Sequence, residues 1–319
     1  MTRKCCILLF AAGVIFCQTA CTETWPPQRL VEIDFTVVDD DGHPVADSRI
    51  RLTSRYIRGG ETVRDNYEIY TDESGVAKFR RRTAADLFIG ARKEGYYVTS
   101  LGSIGRGGYG IDPASKEPIS KSIKMTLRKI QNPIAMYGYG WSFPLPEENR
   151  EIGFDLLGGD WVRPYGTGRT ADFSVVFSRE RLGGFDFRST TKILFPNPGD
   201  GYLVSKSVYP ESQFKTPREA DAEGYQSELT IERNRIDDEY QWETQATAPV
   251  MILRTRTEYS DDGSIESAHY SILPSGIEPI GQLAEKPAVR FHYWFNPTPN
   301  DRNLEFDPER NLADEGGVD

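Results

Sequence analysis

The chain has 319 residues, and its 48 acidic and 38 basic side chains give a formal net charge of −10. This acidic balance favours solubility and argues against a surface for nucleic acid or anionic lipid. The length allows about two domains, each able to bury its own core. Short alternating runs divided by glycine and proline predict an all-β protein.

The first stretch has the pattern of a secretory signal. A basic Thr-Arg-Lys start at residues 2–4 is followed by a run of low polarity from Cys5 to Phe16. As a helix this run would be about 18 Å long, too short to cross a bilayer core of about 30 Å. We therefore predict that residues 1–20 are a signal peptide that directs export.

The cysteines indicate how the exported chain is held. All four lie at or before Cys21, so the rest of the chain cannot form an internal disulfide. Thr19-Ala20-Cys21 resembles the end of a bacterial lipoprotein signal, although Gln18 stands where that family usually has an apolar residue. The resemblance implies that Cys21 is lipidated and attaches the protein to a membrane. Ordinary cleavage, with Cys21 left free or removed, is the alternative.

The first exported region begins with a stiff tether and continues as strands. Residues 21–28 contain Trp-Pro-Pro and form the predicted tether. Val31, Ile33, Phe35 and Val37 then alternate with polar residues, which predicts a half-buried strand. Long connections are expected at residues 54–66 and 101–118. Long loops at the end of a sandwich can bind a ligand, but tolerated surface insertions are the favoured explanation here.

Three turn motifs in this region carry a resemblance. In their order and spacing, residues 38–45, 71–79 and 91–96 resemble the carboxypeptidase regulatory-like domain. The resemblance implies a transthyretin-like β-sandwich over residues 29–128. It implies no activity, because this domain accompanies many secreted proteins and a fold alone does not define a function. Asp39 and Asp41 are interpreted as turn residues, since a helix-flanked calcium loop needs further alternating acids.

Asn132-Pro133 marks a boundary, after which residues 130–306 predict a second β-rich domain. Residues 217–222 predict its one short helix, because proline is favoured in a first turn. Residues 260–263 predict a hairpin turn, and residues 307–319 an acidic, frayed tail. Residues 152–173 and 303–308 resemble parts of uncharacterised exported bacterial proteins with a β-rich second domain, which implies no activity.

An aromatic segment supplies the candidate ligand face. Glycines alternate with Tyr137, Tyr139 and Trp141, so these rings can stand clear of the backbone and stack on sugar faces. The same rings could instead fill a junction between domains. Together with Asp160 and Trp161, they are the predicted ligand-face residues, and the expected partner is a glycan or another envelope protein.

Residue types for catalysis or metal binding are sparse. His43, His269 and His292 are separated and lack the partners of a metal site. The nucleophile elbow, the zinc-binding helix and the phosphate loop are missing from the sequence. We therefore predict no metal and no cofactor.

The prediction for function is a non-enzymatic, exported lipoprotein of the cell envelope, periplasmic or associated with an outer membrane, that binds or scaffolds. The alternative is a carbohydrate-active or other hydrolytic enzyme, because paired carboxylates can cleave glycosides. The acids that could serve it in the second region are Asp155, Asp160, Asp172 and Asp186.

Overall fold

The computed structural model describes residues 24–25, 27–84, 86–103, 115–206, 209–243 and 250–315. The predicted signal peptide, Cys21 and most of the expected connection at residues 101–118 lie outside this part. The chain divides into two compact units between Leu127 and Arg128. In the described part of the chain, no helix has the length and apolar character needed to span a membrane.

The first unit is built from strands in two sheets. One sheet has the order β5-β2-β8, with β5 antiparallel and β8 parallel to β2. The other has the order β4-β3-β6-β7, with the short β1 also pairing β3. The described strands of this unit are β1 (Thr24–Trp25), β2 (Gln28–Asp39), β3 (Arg49–Arg58), β4 (Glu61–Tyr70), β5 (Val76–Ala84), β6 (Leu87–Arg92), β7 (Thr99–Ser103) and β8 (Ile119–Leu127).

The core of the first unit follows the alternation seen in the sequence. Val31, Ile33 and Phe35 of β2 are at most 1% exposed, because every second residue of a strand points to the same face. They pack with Ile50 and Leu52 of β3 in one apolar cluster. This burial confirms an all-β, sandwich-type fold, and it leaves the other face of β3 free to carry polar side chains.

The expected connection at residues 54–66 is wrong, because these residues belong to a hairpin. β3 and β4 pair without a register shift from Arg49↔Tyr70 to Arg58↔Glu61. Only Gly59 and Gly60 lie between them, with φ angles of 59° and 88°. A two-residue hairpin turn of this kind needs positive φ at both positions, which glycine adopts without strain.

The second unit also contains two large sheets. One has the order β11-β10-β12-β13-β15-β16, and the other β14-β17-β18-β20-β9-β21 with β19 on β20. Its described strands are β9 (Ile134–Pro144), β10 (Glu151–Asp155), β11 (Asp160–Trp161), β12 (Phe173–Gly183), β13 (Asp186–Leu194), β14 (Gly201–Ser205), β15 (Glu228–Ile236), β16 (Glu239–Glu243), β17 (Val250–Tyr259), β18 (Ile265–Leu273), β19 (Glu278–Ile280), β20 (Ala288–Phe295) and β21 (Phe306–Asn311).

An aromatic core joins these two sheets. Phe154 contacts Phe173, Phe291 and Tyr293 with ring centroids 5.2 to 6.2 Å apart. Such rings bury large apolar areas and pack edge to face, so they stabilise the unit beyond simple burial. The hairpin turn predicted at residues 260–263 is confirmed, since it connects β17 to the antiparallel β18.

Two expectations for the second unit are wrong. Residues 217–222 form no helix; Glu219 instead makes an isolated bridge to Asn303, and the amide of Ala220 donates to the carbonyl of Arg302. The described part of the predicted tail, residues 307–315, is ordered as most of β21 and the short helix α1 (Leu312–Glu315). The Asn311 side chain bonds both the amide and the carbonyl of Gly138, at 2.8 and 3.1 Å.

Candidate functional site

The outer face of the first unit's β4-β3-β6-β7 sheet carries the candidate site. Because inward positions of β3 are apolar, the intervening positions point outward and place Arg49 and Arg51 on this face. Arg92 of β6 lies in register with Arg49, and Gly90 lies in register with Arg51. We call the surface formed by these residues, with Phe88, Val98 and Ser100, the arginine face.

Two depressions mark this face. One has a volume of about 330 Å³ and is lined by Arg51, Phe88, Gly90 and Ser100, among others. The second has a volume of about 550 Å³ and is lined by Lys93, Glu94 and Tyr96, among others. Arg49, Arg92 and Val98 line both. Gly90 supplies no side chain, so the floor of the first depression lies close to the backbone of β6.

The cations of the arginine face are held to different degrees. Arg51 donates to the Oδ1 atom of Asn66 at 3.1 Å, and Arg49 lies 3.5 Å from the carboxylate of Glu68. The guanidinium of Arg92 forms no hydrogen bond or ion pair with any residue in the described ranges. Arg92 is exposed and therefore has its donors available for a ligand.

The chemistry of this face is recognition of anions. A guanidinium binds a carboxylate or phosphate through two parallel hydrogen bonds, and several guanidiniums together fix the orientation of the ligand. Phe88, 38% exposed, has the Arg55 guanidinium 5.5 Å from its ring centre. Phe88 and Val98 add apolar contact area, whereas Ser100 and Thr53 add hydroxyls. This arrangement is suited to binding an anionic ligand with polar and apolar parts.

The predicted aromatic ligand face is not assembled as one surface. Trp161 is 4% exposed and donates its indole N–H to the carbonyl of Pro144 at 2.9 Å. Its ring meets Phe154 edge to face at 5.2 Å, so it belongs to the core of the second unit. Trp141 is 75% exposed. The expectation that Trp161 presents a ring to a ligand is therefore wrong.

The other predicted ligand-face residues also have structural partners. Tyr137 and Tyr139 are half-buried against the same core, and the ring of Tyr139 lies 5.7 Å from that of Tyr293. Asp160 accepts hydrogen bonds from the amide and hydroxyl of Thr167 at 2.8 and 2.9 Å. These contacts leave Trp141 as the one ring of the three predicted in β9 that is well exposed.

The carboxylates proposed for hydrolysis organise loops. Asp155 and Asp172 both bind the guanidinium of Arg256. Burial alone would raise the pKa of Asp155, but the amides of Arg169, Gly158 and Thr170 and the charge of Arg256 together lower it. A depressed pKa keeps the carboxylate ionised, which suits a structural anion rather than a general acid. Asp186 accepts a bond from the amide of Asp237 at 3.1 Å.

One group in the first unit has the residue types of a metal site. Ligand atoms of Asp39, Asp41 and His43 lie within 4.8 Å of one another. However, Asp39 Oδ1 already accepts the amides of Asp41 and His43 at 3.0 and 2.8 Å, the pattern of an Asx turn. Three donors also fall short of the six to eight oxygens that Ca²⁺ prefers. The geometry matches the interpretation of these acids as turn residues.

The histidines of the second unit lie in different strands. His269 stacks on Phe295 with ring centres 5.4 Å apart, and its Nδ1 atom lies 3.3 Å from the carbonyl of Asn296. His292 covers the position where Gly140 has no side chain.

The known proteins that this chain resembles are solved structures with low sequence identity to it. No protein-family model matches the sequence, and no curated protein matches it. A 3-chlorocatechol 1,2-dioxygenase from Rhodococcus opacus aligns over 32% of this chain and 60% of its own length, with 21% identity and a TM-score of 0.26. A catechol 1,2-dioxygenase from Acinetobacter sp. aligns over 33% and 54%, with 12% identity and a TM-score of 0.24.

A proposed carbohydrate-binding protein from Bacteroides uniformis aligns over 85% of this chain and 98% of its own length, with 9% identity and a TM-score of 0.22. For the two dioxygenases, by contrast, the alignment covers less than two thirds of their own length. Scores at this level transfer no activity or ligand to this chain.

The arginine face was not identified from the sequence, although one signal was present. Arg49-Ile50-Arg51-Leu52 alternates cations with apolar residues, which places both arginines on the same exposed face of a strand. Arg92 is distant in sequence, and only the pairing of β3 with β6 brings it beside Arg49. The net acidity of the whole chain conceals this local concentration of positive charge.

Proposed function

We propose that this protein is a non-catalytic, exported binding protein that holds a short acidic saccharide on the arginine face. The observation that carries this proposal is that Arg49, Arg51 and Arg92 line one depression together with Phe88. Arg49 and Arg92 also line the second depression. These groups can recognise a ligand, and the carboxylates of the second unit that could do chemistry are engaged in structural bonds.

A saccharide with carboxylate groups fits each part of the face. The guanidiniums pair with the carboxylates, the hydroxyls of Thr53 and Ser100 meet sugar hydroxyls, and Phe88 packs against the apolar side of a sugar ring. A long polyanion would also meet the acidic remainder of a chain whose net charge is −10. A ligand of a few sugar units avoids that repulsion.

Titration calorimetry with a trimer of galacturonic acid tests this proposal. The wild-type chain is expected to bind it and to ignore the neutral galactose trimer. Replacing Arg92→Ala should weaken binding by about tenfold, since a charged hydrogen bond contributes about 1.5–3 kcal/mol. Arg188→Ala in the second unit, where Arg188 pairs with Glu180 on the surface, serves as the control. Equal binding of both trimers, or no effect of Arg92→Ala, would contradict the proposal.

The proposal that the protein acts outside the cytoplasm rests on its N-terminal sequence. We expect removal of residues 1–20 and a lipid on Cys21, as the signal pattern predicts. Mass spectrometry of the mature N-terminus measures both, and Cys21→Ala should release the protein from the membrane fraction. An intact leader or an unmodified Cys21 in the mature chain would contradict the anchor without affecting the saccharide site.

The proposal excludes turnover of the ligand. Incubation of the chain with acidic and neutral oligosaccharides is expected to release no new reducing ends. Turnover that disappears in Asp155→Asn while the protein stays folded would instead support the hydrolase alternative.

A further inference from the structure

The free edge of β4 has the features of a self-association surface. Within the described residues, β4 pairs with β3 alone, so its other side carries unpaired backbone groups over ten residues. Such an edge can accept another strand through backbone hydrogen bonds. After Glu61, which adjoins the turn, its exposed residues are Thr62, Arg64, Asn66, Glu68 and Tyr70.

The hairpin defines which backbone groups of β4 face the free edge. Arg58 and Glu61 flank the two-residue turn and are therefore a hydrogen-bonded pair. Hydrogen-bonded and non-bonded pairs alternate along an antiparallel ladder, so the odd-numbered residues of β4 bond to β3. The even-numbered residues direct their amides and carbonyls outward. They are the residues available to a new strand.

The charges on this edge complement one another around Asn66. Two copies of β4 paired antiparallel about Asn66 would set Arg64 of each copy opposite Glu68 of the other. Opposite charges in directly facing positions stabilise a strand pair. Arg64 has no ion pair with any residue in the described ranges, and its register partner in β3 is another cation, Arg55. Glu68 lies 3.5 Å from Arg49 through its Oε1 atom, so in the dimer its carboxylate would be shared between Arg49 of its own copy and Arg64 of the other.

The same register also satisfies the other positions. Even-numbered residues would face even-numbered residues, which lets about ten backbone hydrogen bonds form across the two copies. The half-buried Val63 would face Ile69 of the second copy on the inner side. Moving the register by two residues either way would place Asp65 opposite itself or Arg64 opposite Tyr70. In the first of these registers the two Asp65 carboxylates repel each other. In the second, Arg64 no longer faces Glu68, so the ion pair is lost.

We propose that two copies of this chain form a symmetric dimer through antiparallel pairing of β4 centred on Asn66, with two Arg64–Glu68 ion pairs. The interface is isologous, because the same strand contributes to both sides of a two-fold axis. The inference goes beyond ligand binding and does not depend on which ligand the arginine face holds.

Analytical ultracentrifugation of the full chain over a range of micromolar concentrations tests the dimer. The wild-type chain is expected to dimerise. Arg64→Glu and Glu68→Arg each bring like charges together and should raise the dissociation constant at least about tenfold. An equal mixture of these two variants restores opposite charges at both positions, so it should form a heterodimer. The double variant Arg64→Glu/Glu68→Arg should again form a homodimer.

A backbone variant provides an independent test. Asn66→Pro removes an amide that β3 does not use, and proline is tolerated in an edge strand when its nitrogen faces outward. This variant should keep the wild-type circular dichroism spectrum and remain monomeric. A monomeric wild type at every concentration overturns the proposal. So does a dimer that survives Asn66→Pro, or one that the charge-swapped mixture fails to restore.

Discussion

The guanidinium of Arg256 donates from Nε and Nη2 to the two carboxylate oxygens of Asp172, at 2.8 and 2.9 Å. The same Nη2 atom also donates to Asp155 at 2.9 Å. Asp172 is fully buried and Asp155 is 5% exposed. A single cation thus neutralises two buried acids that stand at the start and the end of the connection from β10 to β12.

Removal of this cation should strongly destabilise the second unit. Arg256→Ala leaves two buried carboxylates without their charged partner, which costs about 3–5 kcal/mol for a buried pair. Urea unfolding followed by tryptophan fluorescence measures the loss, since Trp161 of this unit is buried and becomes exposed on unfolding. Arg188→Ala is the matched control, because its exposed pair with Glu180 contributes at most about 1 kcal/mol. Similar effects of the two substitutions would contradict the structural role of Arg256.

The stability of the second unit should depend on the ionisation of Asp155. Its pKa is lowered below the ordinary 3.8, so its contribution is fully present above that value. The contribution is lost as the pH falls through the depressed pKa, because the folded state must then bind a proton at a site that favours the carboxylate. At pH 6, Asp155→Asn should destabilise the unit by about 2–3 kcal/mol.

The difference between wild type and Asp155→Asn should therefore narrow below pH 3.8. Urea unfolding of both chains between neutral and acidic pH measures it. A difference that stays constant across this range would show that ionisation of Asp155 does not contribute.

Gly90 should control access to the arginine face. A Cβ atom at this position would have only the carbonyl oxygen of Thr99 nearby, at 3.4 Å, so a side chain fits without rearrangement. Gly90→Val would fill the depression beside Arg51 and should lower affinity for the galacturonate trimer by about tenfold or more. The unfolding midpoint should stay equal or rise, because valine favours a strand over glycine. Gly90→Ala, which adds only a methyl group, is the matched control and should lower the affinity less than Gly90→Val. Unaltered affinity in Gly90→Val would place the ligand elsewhere.

The hairpin turn should discriminate between substitutions at Gly59. Its φ of 59° lies in the left-handed region, where a β-branched residue is strained by about 1–2 kcal/mol. Gly59→Val should destabilise the first unit by that amount. Gly59→Asn should be nearly neutral, since Asn-Gly suits a turn with two positive φ angles. Urea unfolding of both variants gives the comparison. Equal losses would argue that the turn does not hold this conformation.

Local alternation predicted much of the fold. The run from Val31 to Val37 identified a strand and its buried face correctly, because each inward position is apolar and each outward position polar. The same reasoning missed the β3–β4 hairpin. Residues of β4 are partly exposed along a free edge, so few of them need to be apolar, and Gly59-Gly60 resembled the middle of a loop.

The site was harder to predict because its residues are joined by pairing rather than by sequence. Trp161 lies between acidic and glycine-rich segments, and its burial follows from contacts with Pro144 and Phe154 that no local pattern encodes. Likewise Arg92 adjoins Arg49 only through the register of β6 on β3. The prediction favoured the aromatic residues of β9 because they are adjacent in the sequence. The candidate site is instead formed by arginines of two strands, β3 and β6.

The position of β9 in its sheet determines when this strand can find its partners during synthesis of the chain. This strand is its first along the chain, yet it lies between β20 and β21, which are among its last. While the ribosome is still making residues 145–287, neither neighbour of β9 exists, and its backbone groups have no strand to pair with. The pairing of this strand, and with it the completion of the sheet, must therefore wait until β20 and β21 have emerged from the ribosome.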